Sequence, residues 1–158
     1  MQDHELEYVG FWARVGATLL DSLLLLAISL PLLVAIYGWE YLDPDKTGYL
    51  AGPADLLISY VFPAIAVILF WRLRQATPGK MAISARVVDA GTGEKMSVGQ
   101  SIGRYFAYIV SAIPLGLGFL WIAFDPKKQA WHDKLAGTVV VRPKRENPEP
   151  VRFDGAGR

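Results

Sequence analysis

The sequence contains no cysteine and only two histidines among its 158 residues. Without cysteine, a disulfide framework, a thiol nucleophile and a thiolate metal site are excluded. His4 and His132 lie far apart in the chain, so the sequence gives no support for a zinc site. No nucleophile, base and orienting group can be assembled from the other residues, and we predict that the protein is not an enzyme and has no cofactor, metal or nucleic-acid partner.

Charged residues are scarce over long parts of the chain, and hydrophobic residues make up 53% of it. This fraction is too high for an ordinary soluble domain of this length and indicates a membrane protein in contact with lipid. Three apolar stretches account for the high fraction of hydrophobic residues, at residues 15–38, 55–71 and 105–124. A transmembrane helix needs about 20 mainly apolar residues, so the first stretch qualifies and the other two are borderline.

Lysine and arginine are unevenly distributed around these stretches. Residues 72–104 contain six and residues 125–158 contain eight, whereas residues 39–54 contain one. The excess of basic residues in cytoplasmic segments predicts a multi-pass protein of the plasma (inner) membrane, with the N-terminus and both basic segments cytoplasmic. The segment MQDHELE that precedes the first span is acidic, which argues against a cleaved signal peptide.

The third apolar stretch conflicts with this orientation if it crosses the membrane once. Residues 83–89 (ISARVVD) predict the first strand of a β-hairpin that turns at AGTG, and residues 137–143 (GTVVVRP) predict another strand that pairs with it. These two strands must then lie on the same side of the membrane. Ser97 and Gln100 form a capping-box pattern for a helix that begins at Val98, and IPLGLG interrupts the stretch at residues 113–118. A re-entrant hairpin resolves the conflict, and one kinked span is the alternative.

The sequence thus predicts an all-α membrane protein with two transmembrane helices, a third broken apolar helix or re-entrant hairpin, and a small cytoplasmic β-hairpin or sheet. Residues 125–137 predict a short helix capped by Asp125 and ended by Gly137. Thr77 followed by Pro78 predicts another helix start. Residues 1–143 form the membrane domain, and residues 144–158 form a disordered cytoplasmic tail.

Asp21 is an isolated carboxylate within the first apolar stretch. An intramembrane Asp must face protein or water, because exposure to lipid costs about 2.5 to 3.5 kcal/mol. Arg14 lies two helical turns before it on the same face, with Thr18 between them. The two charged groups do not touch directly, so water, Thr18 or a third polar group has to complete a link. Ser59 is a weaker polar candidate, because Pro63 frees its carbonyl.

These residues resemble the RDD family of membrane proteins, which is named for an Arg and two Asp. The resemblance covers roughly residues 8–143 and includes FDPKKQAWHDKLAGTVVVR and ATPGKMAISARVVDAGTGE. It implies that the three residues are Arg14, Asp21 and Asp133, the last of which follows His132. Some family members are proposed to be cation/proton antiporters, so the resemblance implies a possible exchange of monovalent cations and protons.

Three function classes remain open at this stage, namely a lipid-binding or sensing module and two classes that use the Arg/Asp cluster. In one, the Arg/Asp cluster carries protons or cations in a transport-related protein. In the other, the cluster is a folding clamp in a structural or accessory subunit of a membrane complex. The chain is small for a solitary transporter, so an ion path implies a homo-oligomer or a partner membrane protein, and Ala13 and Ala17 offer a close-packing face.

Overall fold

The computed structural model describes residues 6–144. The predicted tail therefore lies outside the described residues from position 145 onward, and its disorder stays a prediction. The described part is mostly helical and carries a small antiparallel sheet.

Two helices are long and apolar enough to cross a membrane. Helix α1 (Phe11–Tyr37) is continuous, and Pro31 lies inside it. The second, Pro53–Arg74, consists of α3 (Pro53–Leu56), a π-helical turn and α4 (Phe62–Arg74). The π turn precedes Pro63, which has no N–H to donate to the preceding turn. Before α3, a short 3₁₀ turn at Trp39–Leu42 and α2 (Pro44–Thr47) form the acidic connection.

The third apolar stretch is broken, as the sequence predicts. Helix α6 (Val98–Ala112) begins with the predicted capping box, in which the Ser97 hydroxyl and the Gln100 side chain each accept the other residue's backbone N–H. After the break, α7 (Leu117–Leu120) and a 3₁₀ turn continue at 108° to α6. The turn contains two successive residues with positive φ, Leu115 at 53° and Gly116 at 77°, which reverse the chain direction.

The two halves of this bent element pack closely. A Cβ added to Gly118 of α7 would lie 2.5 Å from the Cα of Ser111 in α6, so only glycine permits this approach. A bend of this size occurs both in a re-entrant hairpin and in a broken span, so the third stretch keeps both interpretations.

The sheet joins three segments that are distant in sequence. Its order is β1 (Leu6–Tyr8), β3 (Thr138–Pro143) and β2 (Arg86–Asp89), and both pairings are antiparallel. The predicted pairing of residues 83–89 with the C-terminal strand is confirmed, with Val87 opposite Val140. The predicted β-hairpin is reduced to one bridge between Val88 and Lys95, whereas β2 pairs along its length with β3.

Side chains alternate between the two faces of the sheet and build two small cores. On one face, Val87 and Val140 pack with Val9, Met96 and Trp71 at the end of α4. The other face carries a second cluster of buried residues, which are Leu6, Val88, Ala90, Val139 and Val141. The first cluster fixes the sheet to the helical part of the protein.

Two short helices complete the fold. Helix α5 (Pro78–Ala82) begins after Thr77, as predicted. Helix α8 (Trp131–Ala136) ends at Gly137 as predicted, but its predicted start at Asp125 is wrong. The Asp125 carboxylate accepts the backbone N–H groups of Lys127 and Gln129, both at 3.1 Å, and so stabilises a turn before the helix.

Candidate functional site

The candidate site is a buried cluster of three charged residues, Arg14, Arg104 and Asp133, which we call the charge cluster. Asp133 and Arg104 are 0% exposed and Arg14 is 7% exposed. Arg14 Nη1 donates to Asp133 Oδ2 at 2.5 Å, and Arg104 Nη2 lies 2.6 Å from Asp133 Oδ1. Each carboxylate oxygen therefore faces a different guanidinium group, and three helices, α1, α6 and α8, meet at Asp133.

Arg14 uses all three of its guanidinium nitrogens. Besides its bond to Asp133, Nε donates to the carbonyl of Val9 at 3.0 Å, and Nη2 donates to the carbonyl of Lys128 at 2.6 Å. These acceptors belong to the segment after β1 and to the turn before α8. The planar fork of arginine thus connects the start of the first span to the C-terminal part of the fold.

Arg104 is a member of the cluster that the sequence analysis missed. Its Nη1 donates to Thr138 Oγ1 at 2.6 Å, and its guanidinium carbon lies 5.1 Å from the centroid of the Trp71 ring. On α6, Arg104 shares one buried face with Ser101, Ala107 and Ser111. An arginine on the small-residue face of a helix that enters an apolar stretch is a sequence signal that could have identified it.

Asp133 also caps its own helix and remains charged. Its Oδ2 accepts the backbone N–H of Ala130 at 2.9 Å at the start of α8. Burial alone would raise the pKa of Asp133, but the charges of Arg104 and Arg14 outweigh burial and hold this pKa well below its ordinary value. A carboxylate in this state is an ion-pair partner and is poorly suited to carry a proton near neutral pH.

His132 is buried next to the cluster in its neutral form. Burial lowers the pKa of His132 to about 3, and the attraction of Asp133 opposes this effect only in part. Its ring stacks on Tyr108 with 3.9 Å between centroids, and Nδ1 lies 3.1 Å from the Ser111 hydroxyl. The predicted polar candidate His132 therefore packs between α6 and the charge cluster.

Asp21 lies apart from the charge cluster. Its carboxylate accepts the Thr77 hydroxyl at 2.5 Å and the backbone N–H of Gly79 at 2.6 Å, both at the start of α5. Of the three residues in the predicted cluster, the structure thus brings Arg14 and Asp133 together and places Asp21 in a separate contact that joins α1 to α5. Gly79 permits this contact, because a Cβ there would lie 1.9 Å from the carbonyl oxygen of Ala17.

The two weaker polar candidates also lie outside the cluster. Ser59 donates through its hydroxyl to Asp55 at 2.6 Å, near the opposite end of the second span. Thr18 is exposed on α1 and lines a cavity. Among residues 6–144, no group of three or more metal-ligating side chains is present that could hold an ion.

The cavity that Thr18 lines lies directly beside the charge cluster. It has a volume of about 470 Å³ and lies between α1, α5, α6 and the region around α7 and α8. Arg14, Lys80, Tyr108 and His132 contribute its polar wall. The remaining lining residues are mostly apolar, and they include Val15, Leu19, Leu115, Phe119 and Leu120.

Comparison with known proteins identifies the family. Residues 8–137 match the RDD family. The chain is 34% identical to the uncharacterized protein YxaI of Bacillus subtilis over 84% of its own length and 95% of that protein. It is 31% identical to the uncharacterized membrane protein YteJ of the same organism, over 87% of its length and 82% of that protein.

A shorter similarity extends to a mycobacterial protein. The chain is 36% identical to the proline-rich antigen homolog of Mycobacterium tuberculosis over 40% of its own length and 26% of that protein. No solved structure matches the chain. These names assign neither a transport nor an enzymatic activity. The family match and the two membrane-length helices lead to one conclusion: the chain is a membrane protein that belongs to the RDD family.

Proposed function

We propose that the protein is a structural or accessory membrane subunit in which the charge cluster acts as a clamp. In this proposal the clamp holds a small folded platform, made of the three-stranded sheet with α5 and α8, against the membrane helices. The platform presents a fixed surface to a partner membrane protein, or to a second copy of the chain. Its function depends on shape and position, and no chemical step takes place at the cluster.

One observation carries this proposal: the fully buried Asp133 has each of its oxygens next to a different arginine. Two arginines keep the carboxylate charged, whereas a carrier must release and rebind its proton at working pH. The same contacts link three helices, and Arg14 reaches Val9 and Lys128 in addition. A group with so many fixed partners fits a mechanical role better than a transport role.

The platform belongs on the cytoplasmic side in this proposal. Residues 72–104 and 125–158 carry fourteen of the sixteen basic residues, which is typical of cytoplasmic segments. The pairing of β2 with β3 supports a location of both segments on one side of the membrane, and the 108° bend after α6 is compatible with a chain that returns to that side. We assign the protein to the plasma (inner) membrane with this orientation.

The proposal is tested by limited proteolysis of inverted membrane vesicles, which expose the cytoplasmic side to the protease. Asp133→Asn leaves two buried arginines without their counter-charge, and we expect the sheet segments to be cut much faster than in the original protein. Asp45→Asn makes the same chemical change at an exposed position in the acidic connection and serves as the matched control. Equal protection of the Asp133→Asn protein and of the control would exclude the clamp.

A second candidate function is cation/proton exchange through Asp21. It is favoured by one observation: within residues 6–144, Asp21 forms no ion pair, and its hydrogen-bond partners are two neutral donors, the Thr77 hydroxyl and the Gly79 N–H. The residue also lines a cavity of about 200 Å³ together with Phe62, Phe70 and Thr77. An intramembrane carboxylate without a fixed cation is a plausible binding position for a monovalent cation or a proton.

Proteoliposomes separate the two functions. If Asp21 carries ions, the protein produces an ion-dependent change of internal pH, and Asp21→Asn abolishes it while the protein stays folded. If the protein is an accessory subunit, vesicles with the original protein behave like empty vesicles. The Ser22→Ala protein, altered at the neighbouring position of α1, controls for effects of substitution in this helix.

A further inference from the structure

The polar wall of the cavity beside the charge cluster contains a buried lysine that the clamp does not use. Lys80 of α5 is 6% exposed. Within residues 6–144, the Lys80 ammonium group forms no ion pair with a carboxylate, and Lys80 lines the cavity. A buried lysine is almost always paired, because an isolated buried ammonium is costly. The unpaired Lys80 therefore points to an anionic partner that comes from outside the chain.

The charges around the cavity support the same conclusion. Lys80 acts electrostatically on Tyr108 and His132, which lie on the same wall. Next to this wall, Arg14 and Arg104 share a single carboxylate, that of Asp133. With the carboxylate of Asp21, which binds the N–H of Gly79 next to Lys80, three cations and two carboxylates leave an excess of one positive charge in this region. This excess matches an anionic group such as a phosphate.

Another part of the cavity lining is apolar and is exposed on the outside of the helices. Leu19 on α1 is 60% exposed, and Leu115 at the tip of the break is 97% exposed. Together with Phe119, whose ring centroid lies 5.4 Å from that of His132, they form an apolar surface next to the polar wall. Exposed apolar side chains on membrane-embedded helices face lipid, so an acyl chain can enter this part of the cavity without leaving the bilayer.

We propose that the cavity binds one molecule of an anionic phospholipid. Its phosphate lies against Lys80, and one acyl chain lies along Leu19, Leu115 and Phe119. Basic pockets between membrane helices on the cytoplasmic side are suited to anionic headgroups, and the volume of about 470 Å³ lies in the range of ligand sites. The proposal adds a ligand to the protein and does not depend on whether the clamp or the exchanger is its function.

The test counts bound lipid by native mass spectrometry of the full chain in a neutral detergent. The probes are phosphatidylglycerol, phosphatidylcholine with the same acyl chains, and inorganic phosphate. We expect one phosphatidylglycerol to be retained, with at least tenfold weaker retention of phosphatidylcholine and none of phosphate. Lys80→Gln should weaken retention of phosphatidylglycerol about tenfold, whereas Lys95→Gln removes a charge from an exposed position outside the cavity and should change nothing.

A second pair of variants tests the acyl-chain end without changing any charge. Thr18→Trp places an indole in the cavity from an exposed position on α1, and we expect it to displace the lipid. Leu23→Trp adds an indole to the exposed side of the same helix outside the cavity and should retain the lipid. Because Thr18 and Leu23 are both exposed, neither change disturbs a packed core, which a thermal unfolding measurement checks.

Three outcomes would overturn the proposal. Equal retention of the two lipids, or unchanged retention by Lys80→Gln, would show nonspecific binding to the apolar surface. Retention of phosphate alone would assign the polar end to a soluble anion instead of a lipid. Retention by Thr18→Trp as strong as by Leu23→Trp would place the acyl chain outside the cavity.

Discussion

Arg14 and Asp133 are 119 positions apart in sequence and are joined by a contact of 2.5 Å. The pair connects the beginning of the first membrane helix to a short helix near the C-terminus. Arg104 approaches the same carboxylate from a third helix. The charge cluster therefore joins distant parts of the chain, and the stability of the protein should depend on the geometry of the cluster as well as on its charge.

The geometry of Arg14 yields the first prediction. Arg14→Lys keeps the positive charge, but one ammonium group on a flexible side chain cannot donate hydrogen bonds to Val9, Lys128 and Asp133 at the same time. We expect a loss of about 1 to 3 kcal/mol in the free energy of unfolding, in line with the loss of buried hydrogen bonds to a charged group. Thermal unfolding in detergent measures this loss of stability. The control is Arg74→Lys, which lies at an exposed position and should leave stability unchanged. If the Arg14→Lys protein were as stable as the original protein, the positive charge alone would be enough to hold the cluster together.

The contact between α1 and α5 yields the second prediction. Gly79→Ala places a methyl group 1.9 Å from the Ala17 carbonyl oxygen, so the two elements must separate and the bonds to Asp21 must break. Overpacking of this kind typically costs about 1 to 3 kcal/mol. Gly103→Ala is the control, because a Cβ there meets nothing within 4 Å. In an unfolding assay, Gly79→Ala should be destabilised and Gly103→Ala should not; the reverse order would contradict the packing.

The buried neutral His132 predicts a dependence of stability on pH. Its pKa is about 3 in the folded state and about 6.5 in the unfolded chain, so between these values only the unfolded chain takes up the proton. Stability therefore falls as the pH is lowered from 6.5, by up to about 1.4 kcal/mol per pH unit.

The matched comparison for this dependence is His132→Gln, which cannot titrate. Between pH 7 and pH 5, unfolding curves of the original protein should shift to lower stability, and those of His132→Gln should shift much less. The lowered pKa of Asp133 adds its own loss only below about pH 5, where the unfolded carboxyl begins to bind a proton. An identical slope in both proteins above pH 5 would contradict the buried neutral state of His132.

The proposed orientation of the chain predicts a labelling pattern. The absence of native cysteine makes single introduced cysteines unambiguous reporters. Lys95→Cys and Lys144→Cys lie in the two basic segments and should both be protected from a membrane-impermeant thiol reagent in intact cells. Lys46→Cys in the acidic connection should react. Reaction at positions 46 and 144 with protection at 95 would mean that the third apolar stretch crosses the membrane once.

Local patterns predicted those parts of the fold that depend on neighbouring residues. The capping box at Ser97, the helix start at Thr77 and the break in IPLGLG are all present, because each results from interactions within a few residues. The pairing of β2 with β3 was predictable because two strongly β-forming segments had no other partner of similar quality. Strand β1, with only three residues, gave no comparable signal.

The partners of the charged residues were harder to predict, because they come from distant segments. Asp21 accepts its hydrogen bonds from Thr77 and Gly79, which follow it by 56 and 58 positions. Spacing on α1 could show that Arg14 and Asp21 share a face, but it could not show that another element separates their environments. The start of α8 was wrong for a related reason, since the Asp125 carboxylate binds the turn before the helix.

The most direct test of the structural role of the charge cluster is a double-mutant cycle with Arg14→Gln and Asp133→Asn. Arg14→Gln leaves Asp133 paired with Arg104 alone, whereas Asp133→Asn leaves both arginines without their counter-charge, which typically costs about 3 to 5 kcal/mol. The double change removes both members of the Arg14–Asp133 pair and leaves Arg104 as the one unpaired charge of the cluster. We expect the free energies of unfolding to be non-additive, with a coupling energy of about 1.5 to 3 kcal/mol. Additive losses, with a coupling below about 0.5 kcal/mol, would contradict the clamp.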